Sequence, residues 1–268
     1  MMNLHKICLL AFSFFVLVSC DEDNKEPDNA DSEPGVKITN NAEFGSILSD
    51  QDNQTLYFFA NDISGGSSCN GGCAAVWPPL TGEAYDLDIA AGLNSDDFSS
   101  IVRQDGVKQI TYKGWPLYYF SPEGDGVLET LGDVEGDGKN DVFYVAKPDY
   151  SLMVGKQSVE EEADAVIYLV DDRGVSLYLN TGDEENASNC AGGCAVVWPP
   201  FKSPDNLVLP SIVSATDVTY VDREDELGPQ LAIFGSPLYY FSTDEQLRGN
   251  VLGQAGGPAK SFFVVGAK

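Results

Sequence analysis

Four landmarks recur at one offset. Cys69 and Cys190, Trp77 and Trp198, Tyr57 and Tyr178, and Tyr118 and Tyr239 each lie 121 residues apart. Independent landmarks at a single offset mark an internal duplication, so the chain has to build one structural unit twice. The copies span about 36–150 and 157–268. A fainter period lies inside each copy, because Tyr118 follows Tyr57 by 61 residues and Tyr239 follows Tyr178 by 61. Four half-repeats result: NQTLYFFAND (53–62), GWPLYYFSPE (114–123), GVSLYLNTGD (174–183) and GSPLYYFSTD (235–244).

Each part of this pattern has a local physical reason. Gly and Asn tolerate positive φ, so the first position predicts the turn of a β-hairpin. Strand-like runs precede it at 46–49, 109–112, 166–170 and 231–234. The Leu-Tyr stretch that follows is apolar on both faces, as an inner strand packed on two sides requires. The acid five residues after the tyrosine falls where that strand ends, where a carboxylate accepts backbone N–H bonds. The expected fold is all-β with short helical turns, in two tandem homologous domains, each of two related hairpin-containing half-repeats. Residues 148–162 are read as a linker or as part of the interface between copies.

Cys69 and Cys73, like Cys190 and Cys194, stand four residues apart around a Gly-Gly pair and are followed by Trp-Pro-Pro. On a helical turn such cysteines have Cα atoms about 6 Å apart, near the upper end of the disulfide range. A local disulfide that fixes the loop bearing Trp77 or Trp198 is the expected state in an exported chain. Two alternatives stand beside it. One is a redox couple, which needs a thiol of depressed pKa. The other is a shared four-cysteine metal site, although zinc sites more often use Cys-x₂-Cys spacing.

One loop is not duplicated. In GDVEGDGKNDV (132–142), Asp133, Glu135, Asp137 and Asp141 occupy positions 1, 3, 5 and 9 around Gly138 at position 6. Alternating carboxylates about a glycine turn suit a hard cation, which makes calcium the candidate cofactor. Glu at position 3 and Tyr144 at position 12 depart from that pattern, and an ordinary solvated turn is the competing reading.

The N-terminus directs the chain out of the cytoplasm. Lys6 precedes an apolar run from Ile7 to Val18, too short to span a bilayer comfortably. Residues 1–19 are read as a signal peptide. Leu17-Val18-Ser19-Cys20 looks like a bacterial lipobox, which implies cleavage before Cys20 and lipidation there. Residues 20–35 then form an acidic tether too poor in apolar side chains to fold. Acids directly after the lipidated cysteine resemble the signal that sends some bacterial lipoproteins to the cell surface. The expected location is thus the outer membrane, surface-exposed, with a periplasm-facing anchor as the alternative.

Cleavage removes His5, the sole histidine. That excludes Ser-His-Asp and Cys-His catalysis and imidazole metal sites. The formal charge of −27 repels nucleic acid and anionic lipid.

The half-repeats resemble a bacterial family of secreted repeat lipoproteins of unknown function, named for a Y-x-(F/W/Y)-x-x-D motif. Tyr57, Phe59 and Asp62 fit it, as do Tyr239, Phe241 and Asp244. Tyr118 and Phe120 fit with Glu123 as the acid, and Tyr178 and Asp183 fit with Asn180 in place of the aromatic. The segments CNGGCAAVWPP (69–79) and RQDGVKQITYKGWPLYYF (103–120) look like that family too. The resemblance implies little about activity. The leading expectation is a non-enzymatic, monomeric envelope or surface protein, held to the membrane through Cys20, that binds or scaffolds an unknown ligand. A redox or electron-transfer accessory using the cysteine pairs is the alternative, and a carboxylate-based hydrolase is a third class.

Overall fold

The computed structural model describes residues 35–160, 163–223 and 225–267. The signal peptide, Cys20 and all but the last residue of the tether lie outside the described residues. The first copy contains β1 (Gly35–Asn41), β2 (Gly45–Ser49), β3 (Tyr57–Phe59), β4 (Asp88–Ile89), β5 (Phe98–Val102), β6 (Lys108–Tyr112), β7 (Trp115–Pro116) and β8 (Phe143–Val145). The second contains β9 (Met153–Gln157), β10 (Val166–Val170), β11 (Tyr178–Asn180), β12 (Val218–Val221), β13 (Gln230–Ile233), β14 (Ser236–Pro237) and β15 (Phe262–Val264). One-turn helices α1 (Gly72–Val76) and α2 (Gly193–Val197) follow the first cysteine of each pair. The strands form two- and three-stranded sheets, almost entirely antiparallel; β1 with β4 is the parallel pairing. The all-β expectation with short helical turns holds.

The duplication is carried by register. β3 pairs β8 through Tyr57↔Val145, and β11 pairs β15 through Tyr178↔Val264. The meander β5-β6-β7 recurs as β12-β13-β14. All four turn positions adopt the positive φ their residue types allow: Asn53 at 72°, Gly114 at 79°, Gly174 at 82° and Gly235 at 75°. After each turn the chain dives inward, and Leu56, Tyr57, Phe58 and Phe59 are all buried.

The segment between the copies is more than a linker. Met153–Gln157 pairs antiparallel with β10 as β1 does with β2. The second copy's pairing therefore begins ahead of residue 157. Within the compact unit Glu33–Lys268, residues of both copies share core clusters: Met153, Tyr168 and Val170 pack with Leu48, Phe58 and Trp115. The contact is close, since a Cβ on Gly155 would lie 2.8 Å from Ile63 of the first copy.

Candidate functional site

The four motif tyrosines are the centre of each copy, and their acids are exchanged between half-repeats. Tyr118 Oη donates to Asp62 Oδ2 at 2.6 Å, and Tyr239 Oη donates to Asp183 Oδ2 at 2.5 Å. In the reverse direction Tyr178 Oη donates to Asp244 Oδ2 at 2.6 Å. Each acid thus ends its own strand and locks the tyrosine of the neighbouring strand. The tyrosine pairs are already adjacent, because Tyr57 and Tyr118 exchange backbone hydrogen bonds, as do Tyr178 and Tyr239.

Glu123 departs from this rule. It is exposed, and Tyr57 Oη donates instead to Glu129 Oε1 at 2.5 Å. Glu129 also accepts from Glu135 N at 2.8 Å, as Asp244 accepts from Leu252 N at 2.9 Å. Burial drives these acids upward: Asp62 and Asp244 rise above the usual carboxylate range, and Glu129 is pushed up to about 7. Burial, reinforced by the facing carboxylates, also raises all four phenols, which hold their protons and act as donors.

A buried arginine extends each network. Arg103 donates to Ser67 Oγ at 2.6 Å, to Gln109 Oε1 at 2.7 Å and to the Cys69 carbonyl at 2.7 Å. Arg223 makes the matching bonds to Ser188 Oγ, Gln230 Oε1 and the Cys190 carbonyl at 2.8, 2.7 and 2.7 Å. The serines in turn contact Tyr118 and Tyr239. A planar fork of five donors suits this convergence of acceptors. Sequence reasoning missed both arginines. The available signal was an Arg-x-Asp tripeptide at 103–105 that returns at 223–225.

The cysteines are joined as Cys69–Cys73 and Cys190–Cys194, each with Cα atoms 5.2 Å apart. Gly71 and Gly192 enter the helical turn at φ 57° and 54°. The turn closes with Trp77 N donating to the Cys73 carbonyl at 2.8 Å, and Trp198 N to that of Cys194 at the same distance. Each tryptophan is 3% exposed. Trp77 stacks on Phe143 with centroids 3.7 Å apart, and Trp198 stacks on Phe262 at 3.7 Å. Phe120 and Phe241 close the other side, and Phe59 stacks on Phe143. Replacing both cysteines of one pair by serine is expected to lower unfolding free energy by about 2 kcal/mol, since so short a loop removes little unfolded-state entropy. Denaturant melts check the magnitude, and thiol titration of the native protein should find none of the four free.

Calcium was the expectation for the acidic loop 132–142. Among the described residues no three His, Cys, Asp or Glu side chains converge to hold a metal ion. Asp137 Oδ1 accepts from Val145 N at 2.8 Å, which ties the loop to β8. Asp133 and Glu135 face solvent. Asp141 lies in a left-handed turn at φ 58°, with its carbonyl accepting from Tyr144 Oη. Position 12 of the supposed loop thus locks the turn by a phenol bond. The Val145 N–H and burial engage the central carboxylate, Asp137.

Two clefts lie beside charged side chains of the second copy. One, of about 450 Å³, is lined by Asn186, Ser188, Val221, Asp222 and Arg223 beside the second disulfide. The guanidinium in it is already engaged by Ser188, Gln230, Cys190 and Asp225. The other, of about 350 Å³, lies at the seam between copies and includes Lys113, Asp171, Asp172, Lys202 and Tyr240. Asp171 there accepts from Arg173 N, Val175 N and Tyr240 Oη, and Lys113 is paired with Asp172 at 2.6 Å.

The model of a family described as a secreted repeat of unknown function matches residues 38–81 and 99–147. The first copy is thus similar to two units of this repeat. Each matched segment holds one motif tyrosine, Tyr57 or Tyr118, and the crossed Tyr–acid bonds join one unit of the secreted repeat to the next. The second copy rebuilds the same network 121 residues on. Comparison with curated proteins and with solved structures gives no match. The likeness fits an exported repeat protein. No described helix is long and apolar enough to cross a membrane.

Proposed function

We propose that the chain is a lipid-anchored envelope protein, held at the outer membrane through Cys20 and exposed at the cell surface, whose repeats form a rigid, non-catalytic display scaffold. One observation carries this reading. The residues that define the repeat face inward and are bonded to one another: tyrosine to acid, arginine to disulfide-loop carbonyl, tryptophan to phenylalanine. A motif turned inward at all but Glu123 serves to hold a shape, and the partner is met by the surface it supports.

The anchor is tested by Cys20→Ala in the full chain. Wild type is expected in the detergent phase and the variant in the aqueous phase, because removal of acyl chains removes the membrane affinity. Equal partitioning of the two would overturn the lipid assignment. Protease shaving of intact cells separates surface exposure, where wild type is digested, from a periplasm-facing anchor, where it is protected.

A further inference from the structure

Each copy carries a three-stranded meander whose outer strand, β5 or β12, ends the sheet. An end strand presents backbone N–H and C=O groups that a further strand can pair. The register of β12 identifies these groups. Tyr220 stands opposite Leu231, whose N–H donates to the Phe201 carbonyl and whose carbonyl accepts from Leu238 N. Leu231 therefore uses both backbone groups on the side away from β12. Bonded and non-bonded pairs alternate along an antiparallel ladder, so the N–H and C=O of Tyr220 and Val218 point out of the sheet's edge.

The two copies treat this edge differently. Ile110 bonds Leu80 and Leu117 as Leu231 bonds Phe201 and Leu238, so Ser100, opposite Ile110, is the counterpart of Tyr220. In the first copy the helical turn Ala84–Asp86 packs against β5, and Ala84 N donates to Ser100 Oγ at 2.7 Å. In the second copy the stretch after Lys202 forms no helical turn before Val208. It runs to the seam, where Val208 N donates to Ser151 Oγ at 3.0 Å and the Val208 carbonyl accepts from Ser151 N at 2.8 Å. Tyr220 is 52% exposed. The turn 184–187 lies on the face of this sheet and not on its edge: Thr219 Oγ1 donates to Asn186 Oδ1, and Asn186 N donates to the Gly235 carbonyl. Among the described residues no backbone group bonds the outer side of β12.

The open edge is Val218-Thr219-Tyr220-Val221, all residues that favour strands, with an acid at each end, Asp217 and Asp222. It holds neither lysine nor proline, two residues that blunt free edges. Beside its end opens the cleft of about 450 Å³, whose wall includes Ala187, Ala191, Val221 and Asp222. Asp222 is exposed and makes no ion pair among the described residues. Apolar walls with a carboxylate suit a long side chain that buries its methylenes and holds a cationic head at the acid.

We propose that β12 is a docking edge for an extended segment of a partner protein, which adds a strand beside Tyr220 and sets a lysine or arginine in the cleft at Asp222. Backbone bonds to Val218 and Tyr220 hold the segment, and the cleft selects a basic one. A second molecule of this chain is the poorer occupant, since a formal charge of −27 repels its like. The inference goes beyond the scaffold reading by naming where the scaffold is met and by what, and it does not depend on the lipid anchor.

A short fluorescein-labelled peptide of alternating valine and lysine, titrated with the full chain, is the probe. Its polarisation should rise and saturate. Tyr220→Pro removes one outward N–H, with no charge and no bond to β13, and should weaken binding about tenfold or more. Asp222→Asn should weaken it too, by less as salt rises. Binding indifferent to Tyr220→Pro would show only attraction of a cation to an acidic surface and would overturn the proposal. So would dimerisation of wild type that Tyr220→Pro abolishes, which would make a second copy the occupant. If that variant loses its fold, methylating the backbone nitrogens of either the lysines or the valines of the peptide gives the same reading. Only one of those two sets can face β12, so equal binding of the two peptides would overturn the proposal.

Discussion

Replacing Arg103 by methionine is expected to lower the unfolding free energy by about 3–5 kcal/mol, because it removes one partner from a buried charged network. Methionine fills much of the volume but leaves Ser67 Oγ, Gln109 Oε1 and the Cys69 carbonyl without their donors. It also removes the positive charge that favours the ionised form of Asp62, whose carboxylate still receives Tyr118 and Ser68. Arg103→Lys should recover only part of the loss, since an ammonium cannot present a planar fork to these acceptors. Guanidinium melts of the three proteins check the order wild type, lysine, methionine. A methionine variant within 1 kcal/mol of wild type (about the median worth of a surface ion pair) would mean that the network is incidental.

Glu129 should make the protein less stable as pH rises. In the folded state burial pushes its carboxyl up to about 7, against 4.5 for the free side chain. Between those values the folded chain keeps a proton that the unfolded chain releases. Stability from this group is therefore complete below about pH 4.5 and is lost as pH climbs through about 7. The full change is roughly 3 kcal/mol by linkage. Asp62, Asp137, Asp171 and Asp244 are also raised by burial and slope the same way. Subtraction therefore isolates the effect: Glu129→Gln retains an oxygen to accept from Tyr57 and cannot ionise. Its stability profile from pH 4 to 8 should be flatter than that of wild type, converging with it at low pH. Parallel profiles would place the ionisation elsewhere.

The hairpin turns were legible because their cause is local. Asn53, Gly114, Gly174 and Gly235 are residue types that tolerate positive φ, and each adopts it. The cysteine pairs were legible for the same reason, as a four-residue spacing with two glycines already fits a bridge. What sequence could not give was the partner across the fold. Asp62, Asp183 and Asp244 follow the five-residue rule, but each serves a tyrosine of another half-repeat. In the first copy the loop after Phe120 is longer than its counterpart, and Glu129 reaches Tyr57 in place of Glu123. Arg103 and Arg223 are offset by 120 residues, one short of the main period, and their role depends on strands brought together only in the folded chain. β9 was hidden because Met153–Gln157 has little sequence likeness to β1, although it pairs in the same way.

The seam shows why duplication matters to stability. Arg248 reaches from the second copy into the first, where burial lowers its pKa to about 10. With Gly155 closed on Ile63 and core clusters shared across the seam, the two copies should unfold together. Calorimetry of Arg223→Met tests this most directly, because the damage lies wholly in the second copy. One transition is expected, shifted as a whole to lower temperature, with calorimetric and van't Hoff enthalpies equal. Two transitions, the upper remaining at the wild-type temperature, would show that the copies are independent beads and contradict a single rigid scaffold.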